Sequence, residues 1–137
     1  MIVSKVTYTG GLRTSMLHLR SGNTVITDAP VDNNGRGAAF SPTDTVASAL
    51  AACMLTMMGI AAESKGWNLE GSWAEVTKIM GTHPRRITGI EISMTVMDRQ
   101  LDDKARQILE HTARTCPVWQ SLHPDIAITL HLAFEAC

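Results

Sequence analysis

Residues 40–66 read FSPTDTVASALAACMLTMMGIAAESKG, and this stretch predicts one long helix around which the rest of the chain is arranged. Ser41 suits the N-cap. Pro42 suits the first helical position, where a missing N–H costs nothing, and Asp44 the third, completing a capping box. Apolar residues recur as Val46, Ala49, Leu50, Cys53, Met54, Met57, Ile60 and Ala61, the spacing of a buried helical face. Ala51, Ala52, Met58 and Gly59 carry small or apolar character to the other sides, and no charge intervenes between Asp44 and Glu63. The expectation is a helix buried nearly all round, in the centre of the fold or against a partner subunit. Gly66 fits the stop.

Upstream, residues 2–9 are β-branched and partly alternating, and Gly10-Gly11 marks a turn. Thr14 to Leu19 and Thr24 to Thr27 predict two more strands joined by Ser21-Gly22-Asn23, a hairpin turn whose Gly and Asn tolerate positive φ. Residues 28–39 are a loop by composition. Downstream, Trp67 to Ile79 and Ile87 to Met97 alternate as a hairpin across the Pro84 turn, and Leu101 to Thr115 is an amphipathic helix with Asp102 and Asp103 in its first turn. A short helical piece, Val118 to Leu122, leads to a last strand, Ile126 to Phe134. The order βββαββαβ predicts an α+β fold, with residues 1–137 as a single domain.

Several function classes find no support. A net charge of −1 gives no reason to expect nucleic acid or an anionic membrane surface as partner. No signal-like N-terminus occurs, and the polar interruptions of the apolar runs argue against a membrane span. Three widely spaced cysteines without a CxxC form a poor disulfide framework, which points to a reducing compartment, so a cytoplasmic location is expected. Phosphate-binding GxGxxG and GxxxxGK[ST] motifs are absent, as is GxSxG, and the five histidines form no HxH or HxxxH pair. No cofactor or metal is expected.

The cysteines remain. Cys137 is terminal and is assigned no role. Cys53 lies mid-helix, and Cys116-Pro117 lies where one helix ends and a short one begins, so its sulfur could meet backbone N–H groups. Free cysteine is among the most buried residue types, so composition leaves packing and reactivity both open for this pair. His123-Pro124 reads as the turn into the last strand.

At these residues the chain resembles a known family. FSPTDTVASALAACMLTMM is similar to the central helix of the OsmC/Ohr thiol peroxidases, and TCPVWQSLHPDIAITLHLAF to their second cysteine segment and final strand, with the two cysteines 63 positions apart. The resemblance implies an intertwined homodimer with active sites near the subunit boundary. It implies that Cys53 attacks an organic hydroperoxide as thiolate and becomes sulfenic acid, and that Cys116 resolves it as a disulfide, later reduced by a small or lipoyl dithiol. Met54, Met57 and Trp119 would line the apolar pocket for the substrate tail.

That chemistry makes a physical demand. An ordinary thiol is only about 3% thiolate at pH 7, and burial lowers the fraction further, so a nearby cation must compensate. Cys53 sits too deep in its helix for the N-terminal dipole to suffice. The resemblance places this cation at Arg13, in TGGLRT, or at Arg36, in NNGRGAAFSPTD. Family peroxidases usually carry a Glu ten positions before the helix cysteine to hold the arginine; here that position is Thr43. The departure keeps a second reading in view, a non-catalytic or redox-sensing member of the family that binds a small apolar ligand.

Overall fold

The computed structural model describes residues 1–137 and resolves two compact units, Met1–Val46 and Ala47–Cys137. In the first, strands β1 (Ser4–Gly10), β2 (Arg13–His18) and β3 (Thr24–Asp28) form an antiparallel sheet in that order. The expected Ser21-Gly22-Asn23 turn closes the β2–β3 hairpin: Gly22 takes φ +78°, and the Gly22 and His18 N–H groups bond the carbonyls of His18 and Asn23. The ladder runs from Leu17 opposite Thr24 to Arg13 opposite Asp28. The loop that follows is tied back to the sheet, because Gly37 N–H bonds the Ala29 carbonyl and Asp28 N–H bonds the Phe40 carbonyl. Ile2, Val3, Val6, Tyr8, Val25 and Ile26 are all exposed, and in this unit only Thr27, Asp28 and Ser41 are buried.

Helix α1 (Pro42–Lys65) begins as its sequence dictates. Asp44 N–H donates to Ser41 Oγ (3.0 Å) and Ser41 N–H to Asp44 Oδ2 (2.9 Å), the reciprocal bonds of a capping box. It ends at Gly66, φ +73°, with Trp67 N–H bonded to the Ala62 carbonyl five residues back.

The second unit holds β4 (Trp73–Gly81), β5 (Arg86–Asp98), α2 (Asp103–Arg114), α3 (Pro117–Ser121) and β6 (Ala127–Ala136). The sheet order is β4-β5-β6, antiparallel between the first two strands and parallel between β5 and β6. A parallel pair cannot be joined by a tight turn, and α2 and α3 supply the crossover. Alternate β5 residues Ile90, Ile92, Met94 and Val96 join one apolar cluster with Leu50, Met54 and Met58 of α1 and Ala105, Leu109 and Ala113 of α2. Asp102 caps α2, accepting the Ala105 N–H.

Three expectations are corrected. First, α1 is not buried all round by the fold of its own chain: Ala47, Leu50, Ala51, Met54, Met58 and Ala62 form one buried stripe, while Val46 and Ile60 are 40% and 57% exposed, which overturns central placement and leaves only the partner-subunit alternative. One cluster covers one side of a helix, and the opposite apolar side has no cover within a single chain. Second, the polar interruptions do not keep α1 below the membrane threshold. An 18-residue window reaches a mean hydropathy of 1.8, so length and composition alone would permit a span, though a third of that window is buried inside the fold. Third, the strand expected from Trp67 starts at Trp73. Residues 67–72 instead turn, with Asn68 Oδ1 accepting the Glu70 N–H and Gly71 at φ +93°.

Candidate active site

Cys116 is placed by the junction of two helices. Thr115 ends α2, Cys116 is the N-cap of α3 with extended φ/ψ, and Pro117 takes the first helical position. The Trp119 and Val118 N–H groups of this new turn point at the sulfur, and the residue is fully buried. Cys53, half-buried on α1, is its neighbour: the Cys53 side chain acts on the Cys116 thiol, and both thiols are free. Burial pushes the Cys116 thiol above its ordinary value of 9.0; the two N–H groups oppose this, and the Cys53 sulfur adds to it. A chain position 63 residues away thus supplies the neighbour a cysteine needs for disulfide chemistry.

The residues expected to line a pocket around this pair are distributed unevenly. Met54 is fully buried in the core cluster, and Met57 and Trp119 are half-buried and packed against it, as is Cys53. A cavity of about 560 Å³ opens instead beside Leu55, Met58, Gly59, Trp67 and Leu69, with Glu63 and Glu70 at its lining; none of the five expected site residues of this unit borders it.

In the first unit, both candidate arginines converge on one carboxylate that the sequence reading missed. Arg13 Nε and Nη2 donate to Asp28 Oδ1 and Oδ2 at 2.7 and 3.0 Å, a bidentate pair. Asp28 is 1% exposed, and the Arg13 side chain lies above it at 32%. The Arg13 guanidinium holds the Asp28 carboxyl below the usual carboxylate range, against the effect of burial, and the Ala38 N–H and the Arg36 charge act in the same direction. The Arg36 guanidinium rests on Gly11: a Cβ there would sit 2.7 Å from Arg36 Nη2, and Gly11 has φ +61°. Thr43 hydrogen-bonds Ser41 through its hydroxyl (3.2 Å), so the acid that pairs Arg13 comes from β3 and not from α1. The signal was present in the hairpin: extending the ladder one rung beyond Thr14–Thr27 sets Arg13 opposite Asp28.

These features define a class, an α+β protein whose central helix and crossover make neighbours of two free cysteines. The sequence model described as OsmC-like protein matches residues 35–131, and the chain belongs to the OsmC family. Among solved structures, a protein from Psychrobacter arcticus 273-4, named as a candidate osmotic stress induced and detoxification response protein, shares 52% identity over 96% of both chains with a TM-score of 0.91. The fold also matches an organic hydroperoxide resistance protein OsmC from Legionella pneumophila (16% identity, 97% and 98% of the two chains, TM-score 0.70). A further match is an organic hydroperoxide resistance protein from Elizabethkingia anophelis (14%, 98% of each, 0.74). No curated protein matches the chain in sequence.

Proposed function

We propose that the chain acts over residues 1–137 as one OsmC-like domain, a cytoplasmic thiol peroxidase for organic hydroperoxides. The observation that carries this reading is that the free thiols of Cys53 and Cys116 are neighbours and interact. The Cys53 thiolate attacks the distal oxygen of the hydroperoxide; the O–O bond breaks, the alkoxide takes a proton and leaves as alcohol, and Cys53 becomes sulfenic acid. Cys116 then attacks the sulfenic sulfur, water leaves, and the disulfide forms. A small or lipoyl dithiol restores both thiols by exchange and is itself oxidised to a disulfide. Arg13 or Arg36 supplies the positive charge that favours the Cys53 thiolate, and the half-buried Met57 and Trp119 supply apolar contact for the substrate tail, a role that the fully buried Met54 cannot share. The names of the Legionella and Elizabethkingia proteins agree with this substrate class.

The working unit in this reading is a homodimer. Its support is apolar surface without cover in one chain: Val46 and Ile60 on α1, and Ile2, Val6 and Tyr8 on the first sheet. A second reading, a redox-sensing protein that binds a small apolar ligand, draws on a different observation, the cavity beside Leu55, Met58 and Trp67.

One assay separates the two. Consumption of cumene hydroperoxide with dihydrolipoamide is followed for the parent, Cys53→Ser and Cys116→Ser. Turnover that disappears in Cys53→Ser supports the peroxidase. Turnover by the parent no greater than that of Cys53→Ser removes it and leaves the sensing reading.

A further inference from the structure

We propose that the cavity at the C-terminal end of α1 is a binding site of its own, separate from the cysteine pair, for a small organic cation: an ammonium group on an aromatic or short aliphatic body. The proposal rests on the cavity of the second reading above and gives its ligand a charge; it does not depend on turnover at Cys53.

All of the lining belongs to the second unit, and the volume of about 560 Å³ falls in the range of small-molecule sites. The floor is apolar. Met58 and Val96 are fully buried, and Leu55, Trp67 and Leu69 are half-buried and pack on the same core cluster. The 67–72 turn, which also lines the cavity, is tied down without any ligand. Trp67 N–H bonds the Ala62 carbonyl, Met97 N–H bonds Ser72 Oγ, that hydroxyl donates to the Leu69 carbonyl, and Arg99 Nη1 donates to the Asn68 carbonyl.

Charge selects the occupant. Glu63 and Glu70 are the only ionisable groups in the lining, both are exposed, and no ion pair engages either of them. Arg99, tied to the backbone of the turn, and Lys65, at the end of α1, line no part of the cavity. The C-terminal end of a helix adds negative potential of its own. An anion would be repelled here. A neutral apolar ligand would cover the floor and strip water from two carboxylates without giving them a partner. A cation with an apolar body suits both parts: the body covers Met58, Leu69 and Val96, the charge meets the carboxylates, and the Trp67 indole is the kind of aromatic surface on which ammonium groups rest.

Gly59 is an independent mark of space kept open. It lies in the interior of α1, where glycine costs stability relative to alanine. A Cβ at Gly59 would meet no atom within 4 Å, so the packing of this chain does not require glycine there. The residue borders the cavity, and its missing side chain is volume left to an occupant.

The test uses the whole chain and three probes with similar bodies, phenethylammonium, 2-phenylethanol and phenylacetate, titrated at pH 7 and followed by two-dimensional amide NMR spectra. Shifts should centre on Gly59, Trp67 and Gly71, with phenethylammonium bound roughly fivefold or more tightly than the alcohol and phenylacetate not bound. Combining Glu63→Gln with Glu70→Gln changes two exposed side chains and leaves the fold intact. It should weaken the ammonium probe about tenfold, which two exposed ion pairs supply together, and leave the alcohol unchanged. Gly59→Leu should abolish binding of both. Equal affinity for the three probes, or an ammonium affinity that the Gln variant keeps, overturns the proposal and leaves the apolar site of the second reading standing. Absence of shifts with every probe overturns the proposal and removes that ligand site as well. Binding that persists in Gly59→Leu overturns the placement. Sedimentation is run alongside: if Gly59→Leu loses an oligomeric state that the parent holds, a second copy occupies the space, which also overturns the proposal. Hydroperoxide turnover by the same samples tests the peroxidase reading separately.

Discussion

Oxidising the Cys53–Cys116 pair should raise the stability of the second unit by an amount that the chain itself sets. Both sulfurs belong to Ala47–Cys137 and are neighbours there, so the bond joins two groups that the fold already brings together. Its main effect then falls on the unfolded chain, where it closes a loop spanning the 63 positions between the two cysteines. Loop-closure entropy for that length amounts to about 4 kcal/mol at 25 °C. For a chain of this size that corresponds to a rise in melting temperature on the order of 10–15 °C. The measurement is a thermal melt followed by circular dichroism on Cys137→Ser, which removes the exposed third thiol, after treatment with diamide or with dithiothreitol. Intact mass must show the loss of two hydrogens, and a non-reducing gel must show a monomeric chain. Cys116→Ser should show no shift. A verified intramolecular disulfide with an unchanged melting temperature would refute the reasoning, because it would mean that the folded state has to distort to make the bond.

Four further outcomes follow from particular contacts. Met54→Ala should lower stability by about 2–5 kcal/mol, since the side chain is fully buried, read as a fall in urea midpoint at constant slope. Ser41→Ala removes one half of the capping box and should cost about 1 kcal/mol, with Ser41→Thr restoring most of it in the same titration. The Asp28 carboxyl is held below its ordinary 3.8, chiefly by Arg13, so the folded state binds its proton less readily than the unfolded one. Its stabilising contribution is complete above pH 3.8 and is lost as pH falls through the lower folded value; urea midpoints between pH 6 and 2 should show this loss in the parent and not in Asp28→Asn. Burial pushes the Cys116 thiol above 9.0, so its alkylation at pH 7 should lag far behind that of exposed Cys137 and accelerate only in alkaline solution; equal rates at pH 7 would show that the site is open.

Local signals were the legible ones. The Ser41-Pro42-Asp44 start and the Gly66 stop bounded α1 to within a residue, because caps are written in adjacent side chains. The hairpin turn at Ser21-Gly22-Asn23 was equally local. Pairing over distance was not legible. Nothing in the alternation of Ile126 to Phe134 says that β6 runs parallel to β5, and nothing in the apolar stripes of α1 says which side the core takes. The strand expected from Trp67 failed for a local reason that was visible, since Asn68 and Gly71 are turn formers. Of the candidate site, the two cysteines were found and their pairing was implied only by family resemblance. Asp28 was passed over because an aspartate at a strand end beside Ala29-Pro30 reads as loop, and its partner lies 15 residues back.

The parallel β5–β6 ladder has a consequence for when the site comes into being. Every rung joins residues 38 positions apart, from Gly89–Ala127 to Asp98–Ala136, and none can form until the crossover through α2 and α3 has been laid down. Contacts of such long sequence separation meet their closure entropy before they gain anything, so they arrive late in folding. Cys116 lies inside that crossover and Cys53 lies 63 positions before it, so the meeting of the two sulfurs is also a contact of long sequence separation, with its own closure entropy to meet. A chain that is still growing, or that has stalled with its sheet open, holds two isolated thiols, and only the finished one holds a pair. The capacity to form that one disulfide thus reports that α1 and the crossover have met.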